Sequence, residues 1–244
     1  MTAYQNTFAR VGLKYLLDKD QYLAFRERTS DLAAEDEYGW TQILNIYYDT
    51  PDYRLVRASL DRPVYKEKLR LRTYGTPENG SPAFVELKKK YRGIVYKRRT
   101  QLPYLEARRF VEHGLLSHDP DQIEREIFWC LAYYRELVPA MVLSYRRLAL
   151  AGREAPALRI TFDTKLQWRS KPTDLRLGPG GADLLAPDEV LMEIKVGGGM
   201  PLPLVNTLSD LKIRPVSYSK YGRAYRHLVK GKGTAPCTAA SCSL

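Results

Sequence analysis

The chain has 244 residues, with 39 lysines and arginines against 28 aspartates and glutamates, a formal net charge of +11. That length suits one large or two small domains, and such a basic excess attracts polyanions: nucleic acid, an anionic membrane surface or polyphosphate. Hydrophobic content of 44% and charged content of 27% are ordinary for a soluble protein. No apolar run approaches the ~20 residues of a membrane helix, and Met1 to Arg10 lacks a signal-peptide core. The cysteines, Cys130, Cys237 and Cys242, are odd in number. They argue against a disulfide framework and for a reducing, cytoplasmic setting.

In chain order, Ala9 to Leu17 reads as a first strand carrying Lys14, and Asp18 as the N-cap of a helix from Asp20 to Arg28. The polar, acidic stretch from Thr29 to Gly39 reads as a loop. Thr41 to Tyr48 is rich in strand formers and is closed by Asp49-Thr50-Pro51. A short helix over Asp52 to Ser59 precedes a strand over Val64 to Tyr74. A hairpin follows, from Phe84 to Lys90 and from Ile94 to Thr100, around Tyr91-Arg92-Gly93. Pro103 to Leu116 and Asp121 to Leu137 read as helices, the second with Ile123, Ile127, Phe128, Leu131 and Tyr134 on one stripe and Cys130 as a small buried hydrophobe. Val138 to Leu150 and Ala157 to Thr164 form an antiparallel pair. Lys165 to Pro187 reads as a long loop, Val190 to Val196 as a late strand, and Leu202 to Leu208 and Ser219 to Val229 as helices. Residues 1–230 read as one domain, with a small, polar, disordered tail over 231–244.

The strands share one design. At a period of two, Lys66, Lys68, Arg70 and Arg72 lie on one face and Glu67, Leu69, Leu71 and Thr73 on the other. Glu86, Lys88 and Lys90 oppose Val85 and Leu87; Arg159, Thr161 and Asp163 oppose Leu158, Ile160 and Phe162; Glu193 and Lys195 oppose Met192 and Ile194. For any one strand, a solvated charged face explains the pattern. Its repetition points to charged faces turned toward one another around a polyanion, with the apolar faces packed outward on helices. On this reading Lys66 and Lys90 are strand ends, Lys89 and Arg98 fall on the outer parity as surface charges, Asp163 either caps a turn or meets a metal, and Tyr47 and Tyr48 serve packing.

The common nucleotide motifs are missing: no G-x-x-x-x-G-K-[ST] and no strand–G-x-G-x-x-G–helix unit. Gly197-Gly198-Gly199 reads as a turn. His113, His118 and His227 are scattered, without zinc-ligand spacing. Cations plus a few carboxylates remain, and phosphoryl transfer asks mainly for positioning and charge neutralisation.

Taken together, Asn45-Ile-Tyr-Tyr-Asp-Thr50, Val64-Tyr-Lys-Glu-Lys-Leu-Arg-Leu-Arg-Thr-Tyr-Gly75, Phe84-Val-Glu-Leu-Lys-Lys-Lys90, Tyr96-Lys-Arg-Arg99, Ser144-Tyr-Arg-Arg147, Leu158 to Thr164, Met192-Glu-Ile-Lys195 and Ser219-Lys-Tyr221 resemble the VTC-domain family, the polyphosphate polymerase branch of the triphosphate tunnel metalloenzymes. The resemblance implies an α+β fold, an antiparallel eight-stranded β-barrel around a basic tunnel with helices outside. It implies transfer of the γ-phosphoryl group of ATP to polyphosphate. Arg70, Arg72, Lys88, Arg147, Arg159 and Lys220 take the catalytic positions; Lys14, Lys68, Lys97, Arg99 and Lys195 bind substrate. Glu193, with Glu86 second, takes the position of a ligand to Mn²⁺ or Mg²⁺. The chain departs from the wider superfamily's E-x-E-x-K first strand at Arg10-Val-Gly-Leu-Lys14, where Gly12 replaces a carboxylate, and Ser217 stands where the eukaryotic polymerases have lysine. A triphosphatase in the same tunnel and a non-catalytic polyphosphate-binding module are the competing readings. Specific nucleic-acid binding is not expected.

Overall fold

The computed structural model describes residues 11–61 and 63–231; the expected tail beyond 231, and Ala9 and Arg10 of the expected first strand, lie outside them. The chain opens with β1 (Val11–Leu17), α1 (Lys19–Arg28), β2 (Ala33–Glu35), β3 (Thr41–Asp49) and α2 (Arg54–Leu60). Next come β4 (Tyr65–Tyr74), β5 (Pro82–Tyr91), β6 (Ile94–Pro103), α3 (Tyr104–His113) and α4 (Gln122–Tyr134). It closes with β7 (Val138–Gly152), β8 (Arg159–Arg169), a 3₁₀ turn at Leu175–Leu177, β9 (Ala182–Asp183), β10 (Val190–Val196), α5 (Leu202–Asp210) and α6 (Lys220–Val229). Local chemistry sets several starts. Asp18 and Asp121 cap α1 and α4 with full capping boxes, through Gln21 and Glu124, and the Ser219 side chain accepts from Gly222 N at the head of α6.

Eight strands form one antiparallel path in the order β1-β10-β8-β7-β3-β4-β5-β6, with β2 added to β7 and β9 to β8. Among the described residues no ladder joins β1 to β6, so the expected eight-stranded wall is present without closure by strand pairing. It is nevertheless rolled. Lys14 on β1 and Lys88 on β5 are separated by five strands along the path, yet Lys14 acts electrostatically on both Lys68 and Lys88. The segment leading into α6 bridges the concavity: Val216 N donates to Lys14 O, Lys68 Nζ to Ser219 Oγ, and Lys220 Nζ to Asp163 Oδ2.

The alternation of side chains divides the packing. Leu44, Ile46, Leu69, Leu71, Val85 and Leu87 point outward and pack with Tyr104 and Phe110 of α3 and Ile127 and Cys130 of α4. On the other half of the wall, Tyr15, Ile160, Phe162, Met192 and Ile194 pack against Phe25 of α1 and Leu204 of α5. A third cluster lies on the inner side: Ile43, Tyr47, Leu143, Tyr145, Leu166, Trp168 and Leu191 meet Val56 of α2 and Tyr221 and Ala224 of α6.

Two segments read as loops behave otherwise. Ala33–Glu35 pairs with Leu150–Gly152 as an edge strand, gaining ladder bonds its own composition does not favour. Residues 165–187 are not one long loop, because β8 continues to Arg169 and β9 pairs with it. The extension is hidden by a bulge. Register between β7 and β8 shifts between Ser144 and Arg146, and Lys165 takes φ 48°. The extra residue reverses the alternation, so Leu166 and Trp168 succeed Asp163 on the inner face.

Removing one outward leucine should therefore weaken the wall, while a surface cation on the same face should not. Leu71→Ala is expected to cost roughly 2–5 kcal/mol in urea unfolding, against less than about 0.5 kcal/mol for Lys89→Ala.

Candidate active site

The inward faces of the wall carry two groups of cations, each built around one buried carboxylate. Glu86 on β5 is 1% exposed. Its Oε2 lies 2.6 Å from Arg70 Nη2 and 3.9 Å from Arg72 Nε, and its Oε1 lies 2.8 Å from Lys97 Nζ and 3.7 Å from Arg99 Nε. Register explains the convergence, since Arg70 is paired across the ladder with Glu86 and Glu86 with Arg99. Burial alone would raise the Glu86 pKa, but Arg70, Arg72 and Lys97 outweigh it and hold the carboxyl far below its usual range.

The second group surrounds Asp163 on β8, also 1% exposed. Arg147 of β7 binds it through two hydrogen bonds, Nε to Oδ1 at 2.6 Å and Nη2 to Oδ2 at 2.7 Å, and Lys220 Nζ reaches Oδ2 at 2.5 Å. Here too burial is outweighed, by Arg147 and Lys220, and the carboxyl is strongly acidic. Asp163 thus neither caps a turn nor stands open for a metal; it anchors a bidentate arginine.

Between these groups lie Lys14, Lys68, Lys88, Lys195 and Glu193. Lys14 is paired with Glu193 across β1 and β10, and Lys14 Nζ donates to Tyr218 O at 3.0 Å. Lys195 Nζ is 3.7 Å from Glu193 Oε2. Burial and then neighbouring cations, Lys14 among them, lower the pKa of both Lys68 and Lys88 to about 8. Lys88 is exposed to solvent, yet the charges of Arg70 and Lys14 act on it. Arg159 stands apart from the other expected catalytic cations: half exposed, it pairs with Asp36 at 3.0 Å. Lys89 and Arg98 lie on the outer face, as their parity required, paired with Glu126 of α4.

For a divalent ion the donors are sparse. Four cations already surround Glu86, an environment that repels a metal. Glu193 is partly open, its carboxyl lowered by Lys195, Lys14, Lys220 and Arg147 against the opposing effect of burial. A Cβ at Gly12 would come 3.4 Å from Glu193 Oε1, so position 12 is where a second carboxylate would stand, and it has none. Among the described residues no group of three or more His, Cys, Asp or Glu could hold a metal. One carboxylate fits an ion that arrives already coordinated by phosphate oxygens, the usual state of Mg²⁺ with nucleotides.

Several residues of the site escaped the sequence reading. Asn45 Oδ1 accepts from Arg72 Nε at 2.9 Å, and Tyr47 Oη accepts from Arg70 Nη1 at 3.1 Å while its ring stacks on Tyr221 at 4.6 Å. Tyr47 thus packs, as expected, and also holds a lumen arginine; Tyr48 faces outward to Glu112. Asp49 accepts from Leu55 N, Val56 N and Tyr221 Oη, tying α2 and α6 to the end of β3. The odd positions of β3 carry this signal: Asn45, Tyr47 and Asp49 alternate with Leu44, Ile46 and Tyr48.

Two consequences can be measured. Glu86→Gln should leave four cations facing one another, lowering the thermal midpoint of the free protein, and added tripolyphosphate should then raise that midpoint more than it does in the parent; an unchanged ligand-induced shift would refute the counter-ion role. The lysine shifts act in the opposite sense to an ordinary ion pair. Because the folded-state pKa values of about 8 lie below the ordinary 10.5, the penalty of charging Lys68 and Lys88 is full below pH 8. It is relieved as pH rises toward 10.5, so these groups add stability across that window. Tripolyphosphate affinity should fall over the same window, and calorimetry near pH 8–9 in buffers of differing ionisation enthalpy should register proton uptake on binding.

No curated protein matches the chain by sequence. Solved structures share the fold at low identity. A candidate adenylate cyclase of Bacillus halodurans aligns with TM-score 0.54 and 14% identity over 88% of this chain and 96% of its own. One of Vibrio parahaemolyticus aligns with TM-score 0.52 and 13% identity over 91% and 99%. A candidate adenylyl cyclase from Hippeastrum, with a dominant triphosphatase activity, gives TM-score 0.52 and 17% identity over 91% and 96%. The fold is therefore shared. The VTC domain matches residues 9–229, nearly the whole of the described wall and its helices, and the chain belongs to the VTC domain family.

Proposed function

We propose that the protein is a polyphosphate polymerase that transfers the γ-phosphoryl group of ATP to a polyphosphate chain within the basic lumen, releasing ADP. The observation that carries this reading is the convergence of Lys14, Arg70, Arg72, Lys88, Arg147 and Lys220, from four strands and one helix, on a single concavity. Arg70, Arg72 and Arg147 offer planar donors matched to phosphate oxygens, while Lys14, Lys68, Lys88, Lys97, Lys195 and Lys220 act as point charges that follow the chain. Arg99 backs Arg70 behind Glu86, and half-exposed Arg159 stands at the rim. The reaction asks little covalent chemistry of the protein. Holding two phosphate chains in line and neutralising charge as it shifts to the leaving oxygen provides most of the acceleration.

Glu193 is the residue that would hold Mn²⁺ or Mg²⁺ together with substrate oxygens; a bound divalent ion there supplies charge neutralisation on the reacting phosphates. A second reading, hydrolysis of inorganic triphosphate or a nucleoside triphosphate, draws support from the Hippeastrum structure's triphosphatase activity on the same fold. The two differ only in whether a phosphate chain or water occupies the attacking position.

Purified protein incubated with ATP and Mn²⁺ should yield long-chain polyphosphate and ADP by gel and phosphorus NMR. Orthophosphate alone would establish the hydrolase, and tight polyphosphate retention without turnover a binding module. Glu193→Gln should abolish turnover while keeping tripolyphosphate binding, and Arg70→Ala should weaken both. Gly12→Glu should tighten Mn²⁺ binding to the nucleotide-free protein, read by electron paramagnetic resonance; unchanged free Mn²⁺ would show that position 12 does not reach the metal.

A further inference from the structure

We propose that Tyr145 is a positioning residue that fixes the spacing between the two cation groups of the lumen, so that the site recognises a chain of phosphates spanning both groups over a phosphate held in one. The inference rests on the reading of the lumen as a triphosphate site.

Tyr145 lies on the inner face of β7, 2% exposed, opposite Ile43 of β3. Its hydroxyl accepts from Arg72 Nη2 at 3.2 Å. Arg72 belongs to the Glu86 group, at 3.9 Å from that carboxylate, and its Nε is held by Asn45. The other group rests on the face of the same ring: Arg147 Cζ lies 5.2 Å and Lys220 Nζ 4.8 Å from its centroid. One rigid side chain therefore contacts Arg72 by its edge and the Asp163 pair by its face. Burial would raise the phenol pKa, but the charges of Arg72, Arg147 and Lys220 outweigh it and lower the pKa, as expected for an oxygen that accepts from one cation while two more stand on the ring.

Such a link matters because the two groups repel each other. Glu86 and Asp163 neutralise part of the charge within each group but set no distance between them. Long arginine and lysine side chains would drift to relieve the repulsion, and a ligand spanning both groups would then have to draw them together at the cost of its own affinity. A single phosphate occupying one group meets no such cost. Tyr145 has few rotamers and is packed among Ile43, Leu143 and Trp168, so it sets the spacing before the ligand arrives. Three contacts to charged groups on one residue also explain why a leucine of similar bulk could not replace it.

The test uses the full chain and two probes, orthophosphate and tripolyphosphate, titrated without metal by calorimetry. Tyr145→Phe keeps the ring and removes the hydroxyl; Tyr145→Leu removes both contacts. Thermal midpoints confirm that each variant is folded. Tyr145→Phe is expected to weaken tripolyphosphate roughly tenfold, the scale of one lost hydrogen bond to a charged group, and to leave orthophosphate unchanged. Tyr145→Leu should widen the gap further. Equal losses for both probes would reduce Tyr145 to a structural residue, and no loss for either would show that the spacing is set elsewhere; each result overturns the inference. If the parent protein itself does not bind tripolyphosphate more tightly than orthophosphate, the triphosphate reading of the lumen fails first, and the inference with it.

Discussion

Two carboxylates buried among cations make this interior possible. Arg70, Arg72, Lys97 and Arg99 approach Glu86 within 3.9 Å, and Arg147 and Lys220 hold Asp163. Without these carboxylates, the cations gathered around each would repel one another. A buried ion pair adds little net stability over apolar packing, so its worth here lies in arrangement. Each carboxylate orients the planar donors and leaves the group with surplus positive charge directed into the lumen. On the proposed function, the surplus would attract a phosphate chain and the orientation would lower the cost of binding it.

This arrangement depends on a strict division between the faces of the wall. The outer leucines, isoleucines and aromatics pack on α1, α3, α4 and α5 and hold the strands in register whatever happens inside. The inner face is thereby released from the task of building a core over much of its area, and it can carry charge. Where it does build one, Tyr47, Tyr145, Leu166 and Trp168 form an apolar bed with α2 and α6. Lys220 and Arg147 stand over Tyr145 in that bed, and Tyr47 stacks on Tyr221 beside Arg70. The aromatic cluster and the cationic lumen are thus one construction: rings below fix the heads of the cations above.

The sequence disclosed what depends on alternation and little that depends on its interruption. Lys66 to Arg72, Glu86 to Lys90 and Glu193 with Lys195 stand on the faces that a period of two assigned them, because their ladders run without a bulge. The same rule failed after Asp163, where the bulge at Lys165 carries Leu166 and Trp168 inward and turns an expected loop into strand. Asp163 itself was legible as an inward residue but not as a partner of Lys220, 57 positions away and on a helix. Tyr145 and Asn45 were hidden for another reason. Both are uncharged, Asn45 between Leu44 and Ile46 and Tyr145 an aromatic between Ser144 and Arg146, so alternation gives neither a polar partner. Only the three-dimensional approach of Arg72 to both distinguishes them.

Metal supply follows from the same charge balance. A resident divalent ion needs several oxygen donors, and this lumen commits the buried carboxylates of Glu86 and Asp163 to arginines and lysines, while Gly12 leaves Glu193 without a companion. The free lumen therefore repels cations more than it binds them. On the proposed function, a triphosphate would reverse that sign: its oxygens would meet the surplus positive charge and supply the coordination positions that the protein lacks. Metal and triphosphate would then bind as one unit, with Glu193 the residue proposed to meet the ion. On that reading, charge would select the ligand first, and the ligand would bring the ion that its own chemistry requires.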